Sequence, residues 1–434
     1  MPIAAGQLLT LTIEKPAAGG RMIARAGGEG DHAGQVVLVG GAIPGERVTA
    51  RVERVAKGVV YAQTVTIEEP SADRCEPAAD PLCGGCLYAH IAYDRQIEVK
   101  AQVVADAFSR IARLELPSPV AVAASRVDGY RMRARLHLRG GRIGFFREGT
   151  HDLCDPRDTR QLLPATCDVL GRLSAGLRSL GLDAIREIEL SENISASERV
   201  VHLETAGPVD GRALAALATT EGLTGLTATH PQAAGGVRVI AGDPHVGDLL
   251  MIDGHEVSWR RHVLAFFQGN RYLLGDLVSH VVAQIPAGSR VIDLYAGAGL
   301  FSVPAAVVRG ARVTAVEGDR RAAADLDVNA RQAAAVVEAV HQSVERYVQR
   351  SETPADALIL DPPRTGMSRE ALSGAIRLAA REIVYVSCDV ATLARDARGL
   401  VEAEYTLTRI DAFDMFPNTP HIEVVAVFAR DVRL

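Results

Sequence analysis

Between Ile383 and Asp396 an apolar, β-branched run (Ile383, Val384, Val386) stops at Ser387-Cys388 and gives way to a helical pattern. Such a run reads as a buried strand. Asp389 is suited to cap a helix beginning near Ala391. Two earlier runs have the same build: Val291-Ile292-Asp293-Leu294 before Tyr295-Ala296-Gly297-Ala298-Gly299, and Ala357-Leu358-Ile359-Leu360 before Asp361-Pro362-Pro363-Arg364. Strands alternating with helices from Phe266 onward predict a doubly wound parallel sheet. Open sheets of that kind bind ligands at the carboxyl ends of their strands, where Cys388 and Asp361 both fall. Cys388 alone reads equally well as a small buried residue or as a nucleophile.

The chain has 434 residues, 48% of them hydrophobic and 23% charged, which predicts two to four soluble domains. A net charge of −6 excludes a protein that grips nucleic acid through bulk charge; an RNA site has to be a local basic patch. Lys15, Lys57 and Lys100 are its lysines, and the other basic residues are arginine. No charged-then-apolar leader and no membrane-length apolar run are visible, so a cytoplasmic location without membrane contact is expected.

Residues 1–68 read as short strands punctuated by Gly19-Gly20 and Pro44-Gly45, which predicts a small OB-type β-barrel. Cys75, Cys83 and Cys86 follow with spacing C-x7-C-x2-C, the last two flanking Gly84-Gly85. Clustered thiols in a cytosolic chain suit an iron–sulfur or zinc site completed by a fourth ligand from elsewhere. Tyr93 to Ala112 has helical periodicity, with Ile97, Val99, Val103, Val104, Phe108 and Ile111 near one face. The alternating run Gly129–Leu138 places Arg131, Arg133 and Arg135 together, as a solvated face or a phosphate-tracking strip. Residues 69–261 form the expected central α+β domain and 262–434 the expected Rossmann-like catalytic domain. In the latter, Glu317 ends a strand about twenty residues after the Gly loop, where a ribose-binding carboxylate belongs. The missing third glycine leans away from a dinucleotide.

The elements Gly19-Gly20, Ala24-Arg25, Val37-Leu38-Val39 and Pro44-Gly45-Glu46 resemble the TRAM domain, an RNA-binding barrel. Phe266-Phe267-Gln268-Gly269-Asn270, Asp293–Gly299, Asp361-Pro362-Pro363-Arg364, Ser387-Cys388 with Thr392 and Arg395-Asp396, and Phe416-Pro417-x-Thr419-x-His421-x-Glu423 resemble the RNA (uracil-5-)-methyltransferase family. With the barrel and the Cys-Gly-Gly-Cys loop, the likeness is greatest to the 23S ribosomal RNA branch. It implies S-adenosylmethionine and a [4Fe–4S] cluster as cofactors, and RNA as partner: 23S rRNA first, tRNA as the alternative. A monomer is expected. Position by position, it implies Cys388 as nucleophile and Glu423 as the proton-handling base. Gln268, Tyr295, Gly297, Glu317 and Asp361 would line the methyl-donor pocket. Cys75, Cys83, Cys86 and Cys154 would hold the cluster. Two positions depart from the family pattern. Leu300 stands where relatives often carry asparagine, and Thr159 where the fourth cluster cysteine usually lies. Cys154 is the better substitute for that ligand and Cys167 the weaker.

The chemistry explains these residue types. Carbon 5 of uracil is a poor nucleophile, and a thiolate added at carbon 6 makes it an enolate carbon. A base must then strip the carbon 5 proton. The base has to leave its stack to react, which calls for a stacking wall and backbone contacts; Phe266 and Arg133 are the candidates. An adenine-N6 methyltransferase would want an aromatic where Arg364 stands. A cytosine-5 enzyme would set its cysteine in a different context. A non-catalytic RNA-binding iron–sulfur protein would leave Cys388 without a task.

Overall fold

The structure is a computed structural model and describes residues 3–27, 34–207, 209–230, 236–334, 336–351 and 354–430. Strands β1 (Leu8–Pro16), β2 (Met22–Arg25), β3 (Val36–Gly40), β4 (Arg47–Ala56) and β5 (Val59–Glu69) close into a barrel in the order β1-β2-β3-β5-β4. Alternation drives it: Leu11, Ile13, Val37, Val39, Val48, Ala50 and Val52 point inward, while their neighbours stay in contact with water. The barrel core continues onto Tyr88, Ile91 and Val99 outside it, so the barrel docks on the segment that follows.

Helix α1 (Tyr93–Ala107) runs into a π turn, Phe108–Ala112. Its buried face is Gln96, Val99, Lys100, Val104 and Phe108; Ile111, expected on that face, is 39% exposed. The π turn rotates the stripe, because each added residue in the hydrogen-bonded ring shifts the face. Strand β6 (Ala121–Ala123) comes next.

Strands β7 (Arg133–Arg139), β8 (Arg142–Phe146) and β9 (Leu153–Cys154) precede helix α2 (Pro164–Ser179). Then follow β10 (Ile185–Glu192), β11 (Arg199–Thr205), helix α3 (Gly211–Leu217), β12 (Gly225–Thr229) and β13 (Val237–Gly242). They form a sheet in the order β13-β12-β11-β10-β7-β8-β9, with Leu170, Leu173 and Leu177 of α2 packed on it. A hairpin, β14 (His245–Ile252) and β15 (His255–His262), links this unit to the last one.

The C-terminal unit follows the order α4 (Leu274–Ala283), β16 (Arg290–Leu294), α5 (Ser302–Arg309), β17 (Arg312–Glu317), α6 (Arg320–Gln332), β18 (Val337–His341), α7 (Val344–Arg350) and β19 (Ala357–Leu360). It continues with α8 (Arg369–Arg377), β20 (Glu382–Ser387), α9 (Val390–Glu402), β21 (Thr406–Phe413) and β22 (Glu423–Ala429). The sheet order is β18-β17-β16-β19-β20-β22-β21-β6, parallel from β18 to β20, with β22 antiparallel to both neighbours. The outermost strand, β6, comes from the first third of the chain, as do Val104, Phe108 and Ala112, which pack into one of the two cores flanking this sheet. The stretch 104–123 therefore packs with the C-terminal unit, although in sequence it lies within 69–261, while Val99 at the start of α1 packs with the barrel.

Candidate active site

Register assembles the site. Parallel pairing of Leu294 with Leu360 and of Leu360 with Tyr385 brings the ends of β16, β19 and β20 to one edge. Ser387 pairs with Val424 in the antiparallel β20–β22 ladder. One step further, Cys388 follows the last paired residue of β20, and Glu423, the first residue of β22, lies near enough to act on its thiol. Asp389 caps α9 by accepting from the Thr392 N–H at 2.8 Å, which ends the strand and turns the chain at Cys388.

The loop after β19 is latched over this point. Met367 N–H and Tyr385 O–H donate to Asp396 Oδ2 at 2.9 and 2.7 Å, and Thr392 Oγ1 donates to the Arg364 carbonyl at 3.3 Å. Gly366 has φ +70°, and a Cβ there would come within 2.5–2.9 Å of Arg395, Thr392 and Asp396. Only glycine lets the loop lie this close. The latch brings Arg364 to the Cys388 thiol.

Burial dominates the electrostatics. Cys388 is pushed up to about 12, by burial first and by Glu423 next, while Arg364 pulls it back. Glu423, 1% exposed, is pushed up to about 8 by burial, with Gln268 and Arg364 opposing. Asp361 is raised well above the usual carboxylate value, by burial and then by the nearby Glu423. Two carboxyls so close and so dry disfavour double ionisation. Glu423 Oε1 and Asp293 Oδ1 are buried with no hydrogen-bond partner. In the sequence Arg364 shows only as part of a motif and as the residue standing where an adenine-N6 enzyme would want an aromatic. Its place beside the thiol depends on the Gly366 latch, which no spacing displays.

The Gly loop after β16 has the features of a ligand cradle. Tyr295 (φ +68°), Gly297 (φ +57°) and Gly299 (φ +89°) all lie in the left-handed region, and a Cβ on Gly297 would meet open space. Glu317 accepts from the Gly297 N–H at 2.8 Å and from the Asp319 N–H at 2.6 Å, so the acid at the end of β17 is held against the loop. These residues and the unpartnered acceptors fit an S-adenosyl ligand. Leu300 is 7% exposed and packs with Phe301 and Leu326. It offers no polar contact.

Phe267 is buried at 3%, whereas Phe266 is 65% exposed and its ring lies outside the core. The Arg133 guanidinium lies 5.9 Å from the Phe266 ring centroid, and its Nε is buried without a partner. Gln268 is 3% exposed.

The expected cluster ligands are not arranged as a metal site. Cys83 and Cys154 form a disulfide with Cα atoms 5.9 Å apart, Cys86 is buried as a thiol, and Cys75 is exposed. Pairing of β8 with β9 sets Cys154 opposite Phe145, and a bridge joins Cys83 to Arg147 beside it. Among the described residues no group of three or more His, Cys, Asp or Glu is placed to hold a metal ion. A [4Fe–4S] cluster takes four thiolates, and two of the four are spent on each other, so the donor set does not fit. Cys154 does reach the loop; Cys167 is buried in the core under α2. Thr159 is buried and donates to the Pro156 carbonyl.

Comparison with known proteins gives a concordant picture. The tRNA (Uracil-5-)-methyltransferase family profile matches residues 230–431, and the TRAM domain profile matches residues 4–71. The chain is 32% identical to the 23S rRNA (uracil(1939)-C(5))-methyltransferase RlmD of Halomonas elongata, over 95% of this chain and 88% of that one. It is 31% identical to the protein of the same name from Pseudomonas putida, over 98% and 94%. The crystal structure of the Pyrococcus abyssi tRNA (uracil-54, C5)-methyltransferase in complex with S-adenosyl-L-homocysteine superposes with a TM-score of 0.77 at 24% identity. The match covers 97% of this chain and 99% of that one, and it establishes the shared fold. With the strand-end cysteine, the Gly-loop cradle and the barrel, these likenesses identify the chain as a member of the S-adenosylmethionine-dependent RNA (uracil-5-)-methyltransferase family.

Proposed function

We propose that this enzyme methylates carbon 5 of a uridine in 23S rRNA through a transient bond between Cys388 and carbon 6. The observation that supports the proposal is the β20–β22 ladder, whose last pair, Ser387 with Val424, leaves Cys388 and Glu423 next to one another, with Glu423 acting on the thiol. The relatives named for 23S rRNA match the chain nearly end to end, which supports that RNA class.

Arg364 favours the charged form of both Cys388 and Glu423. With the thiol deprotonated, sulfur adds to carbon 6 and the electron pair moves onto the carbon 5–oxygen 4 enolate. S-adenosylmethionine supplies a sulfonium methyl that this carbon can take. The Glu423 carboxylate then removes the carbon 5 proton, the carbon 5–carbon 6 double bond re-forms, and the thiolate leaves. Gln268, Tyr295, Gly297, Glu317 and Asp361 line the donor side. Phe266 offers an exposed ring for a flipped or neighbouring base, and Arg133 a cation beside it for phosphate.

RNA bearing 5-fluorouridine tests the reading, because fluorine cannot be removed as a proton. A band that survives a denaturing gel is expected with wild-type protein and none with Cys388→Ala; no band with active wild-type protein overturns the covalent route. Methylation of 23S fragments against tRNA transcripts decides the substrate. Phe266→Ala and Arg133→Ala are each expected to weaken RNA binding by about 1–3 kcal/mol, measured by titration at fixed salt. Unchanged affinity removes them from the RNA site.

A further inference from the structure

The segment 414–422, between β21 and β22, has no regular secondary structure, yet Asp414, Met415, Thr419 and Ile422 are buried in it. It delivers Glu423 to the site. What holds it is a polar seam on α1, formed by Tyr93, Gln96 and Lys100 at helical spacing. Lys100 is 1% exposed. Its Nζ donates to Asp414 Oδ1 at 2.5 Å and to the Phe416 carbonyl at 3.2 Å. Tyr93 O–H donates to the other carboxylate oxygen of Asp414 at 2.9 Å. Gln96 donates to Asn418 Oδ1 at 2.9 Å and accepts from the Asn418 N–H at 3.0 Å.

We propose that Lys100 is a positioning residue for methyl transfer: by gripping Asp414 and Phe416 together, it fixes the entry of β22 and so the place of Glu423 opposite Cys388. A buried ion pair is a poor source of stability, because desolvating both charges consumes most of their attraction. An apolar pair of similar volume would hold α1 against the segment equally well. What the ion pair adds is direction. One ammonium, bonded to two points on the segment, holds Asp414 and Phe416 in one placement relative to each other. Glu423 is the pocket carboxyl that enters from an antiparallel strand, so its position depends on this segment. Tyr295, Gly297, Glu317 and Asp361 sit at or just past the ends of β16, β17 and β19, and Lys100 bonds to none of them.

The test rests on the covalent reading above, and its arms separate the two. The double variant Lys100→Met/Asp414→Leu removes both charges without stranding either. A melting temperature at or above wild type is expected. So is an unchanged KM for S-adenosylmethionine, with kcat lowered about ten-fold or more, the scale set by a small misplacement of a reacting group. Ordinary uridine RNA should also show a raised fraction of gel-stable protein–RNA adduct, because proton removal by Glu423 is the slowed step; a purely structural defect would not trap that species. Tyr93→Phe, a milder change, is expected to shift kcat and adduct the same way by about three-fold. Turnover within about two-fold of wild type in whichever variant is folded overturns the proposal. Wild-type protein that forms no adduct with 5-fluorouridine RNA overturns the covalent reading instead.

Discussion

A carboxyl buried as deeply as that of Glu423 resists ionisation, and this has a consequence for stability. Its value in the folded chain, about 8, lies above the ordinary 4.5, and that of Asp293, about 7, above 3.8. A raised acid binds its proton more tightly in the folded state. The stability it contributes is complete below the unfolded value and is lost as pH rises through the folded one. Glu423→Gln should therefore melt higher than wild type near about pH 9, and the gap should close towards about pH 4, as thermal scans across pH would show. Gly366→Ala should have the opposite character. Its Cβ would strike Thr392 and Asp396 while φ is +70°, so a loss of about 1–3 kcal/mol is expected, with a fall in kcat as Arg364 moves from the thiol. A denaturation curve and a turnover assay on the same sample measure both.

Among the elements, the joint between the central sheet and the hairpin is a buried ionic knot. Glu192 at the end of β10 pairs with Arg199 at 2.7 Å and Arg271 at 2.8 Å, and Arg261 of β15 pairs with Asp248 of β14 at 2.8 Å. Arg261 also donates to the Glu192 carbonyl at 2.7 Å. Glu192→Ala would leave two guanidiniums buried without their carboxylate. A loss of about 3–5 kcal/mol is expected in the denaturant midpoint. The N-cap of α9 is a smaller case: Asp389→Ala should cost about 1 kcal/mol. That cap was legible in the sequence because an acid ahead of a helical pattern satisfies free N–H groups by local geometry alone. The polar seam of α1 was not. Periodicity finds apolar stripes; Lys100 takes its partners from the 414–422 segment, and Gln96 takes its own from that segment and from the Tyr88 and Ile91 carbonyls.

At the scale of the molecule, the barrel is joined to the chain that follows it by buried polar contacts as well as by a shared apolar core. Glu46 of the barrel is fully buried and accepts from Arg74 at 2.6 and 2.7 Å, and Arg74 also donates to the Gly41 carbonyl. Burial alone would raise the Glu46 carboxyl, but the bonds from Arg74, Ser71 and Ile43 hold it below its ordinary value. Its contribution is present above the unfolded value near 4.5 and lost as pH falls through the lower folded one. Glu46→Gln should thus loosen the barrel at neutral pH, seen as faster amide exchange in β1–β5, and differ little from wild type near about pH 2. The barrel also reaches the site: a Cβ on Gly20 would lie 3.0 Å from Pro420, on the segment that leads to Glu423.

The order of residues along the chain was enough to specify the barrel, the doubly wound sheet and the strand-end places of Cys388, Asp361 and Glu317, because these follow from side-chain period and local caps. It also carried the family likeness, which is written in short contiguous motifs. What depends on residues far apart in the chain came only with folding. Strand β6 and α1 join the C-terminal sheet, Cys154 bonds to Cys83 in place of a four-thiolate site, and Phe266 faces water while Phe267 does not. The closeness of Cys388 to Glu423 is also of this kind: it comes from the register of two antiparallel strands, and a register is fixed by the packing of both faces together.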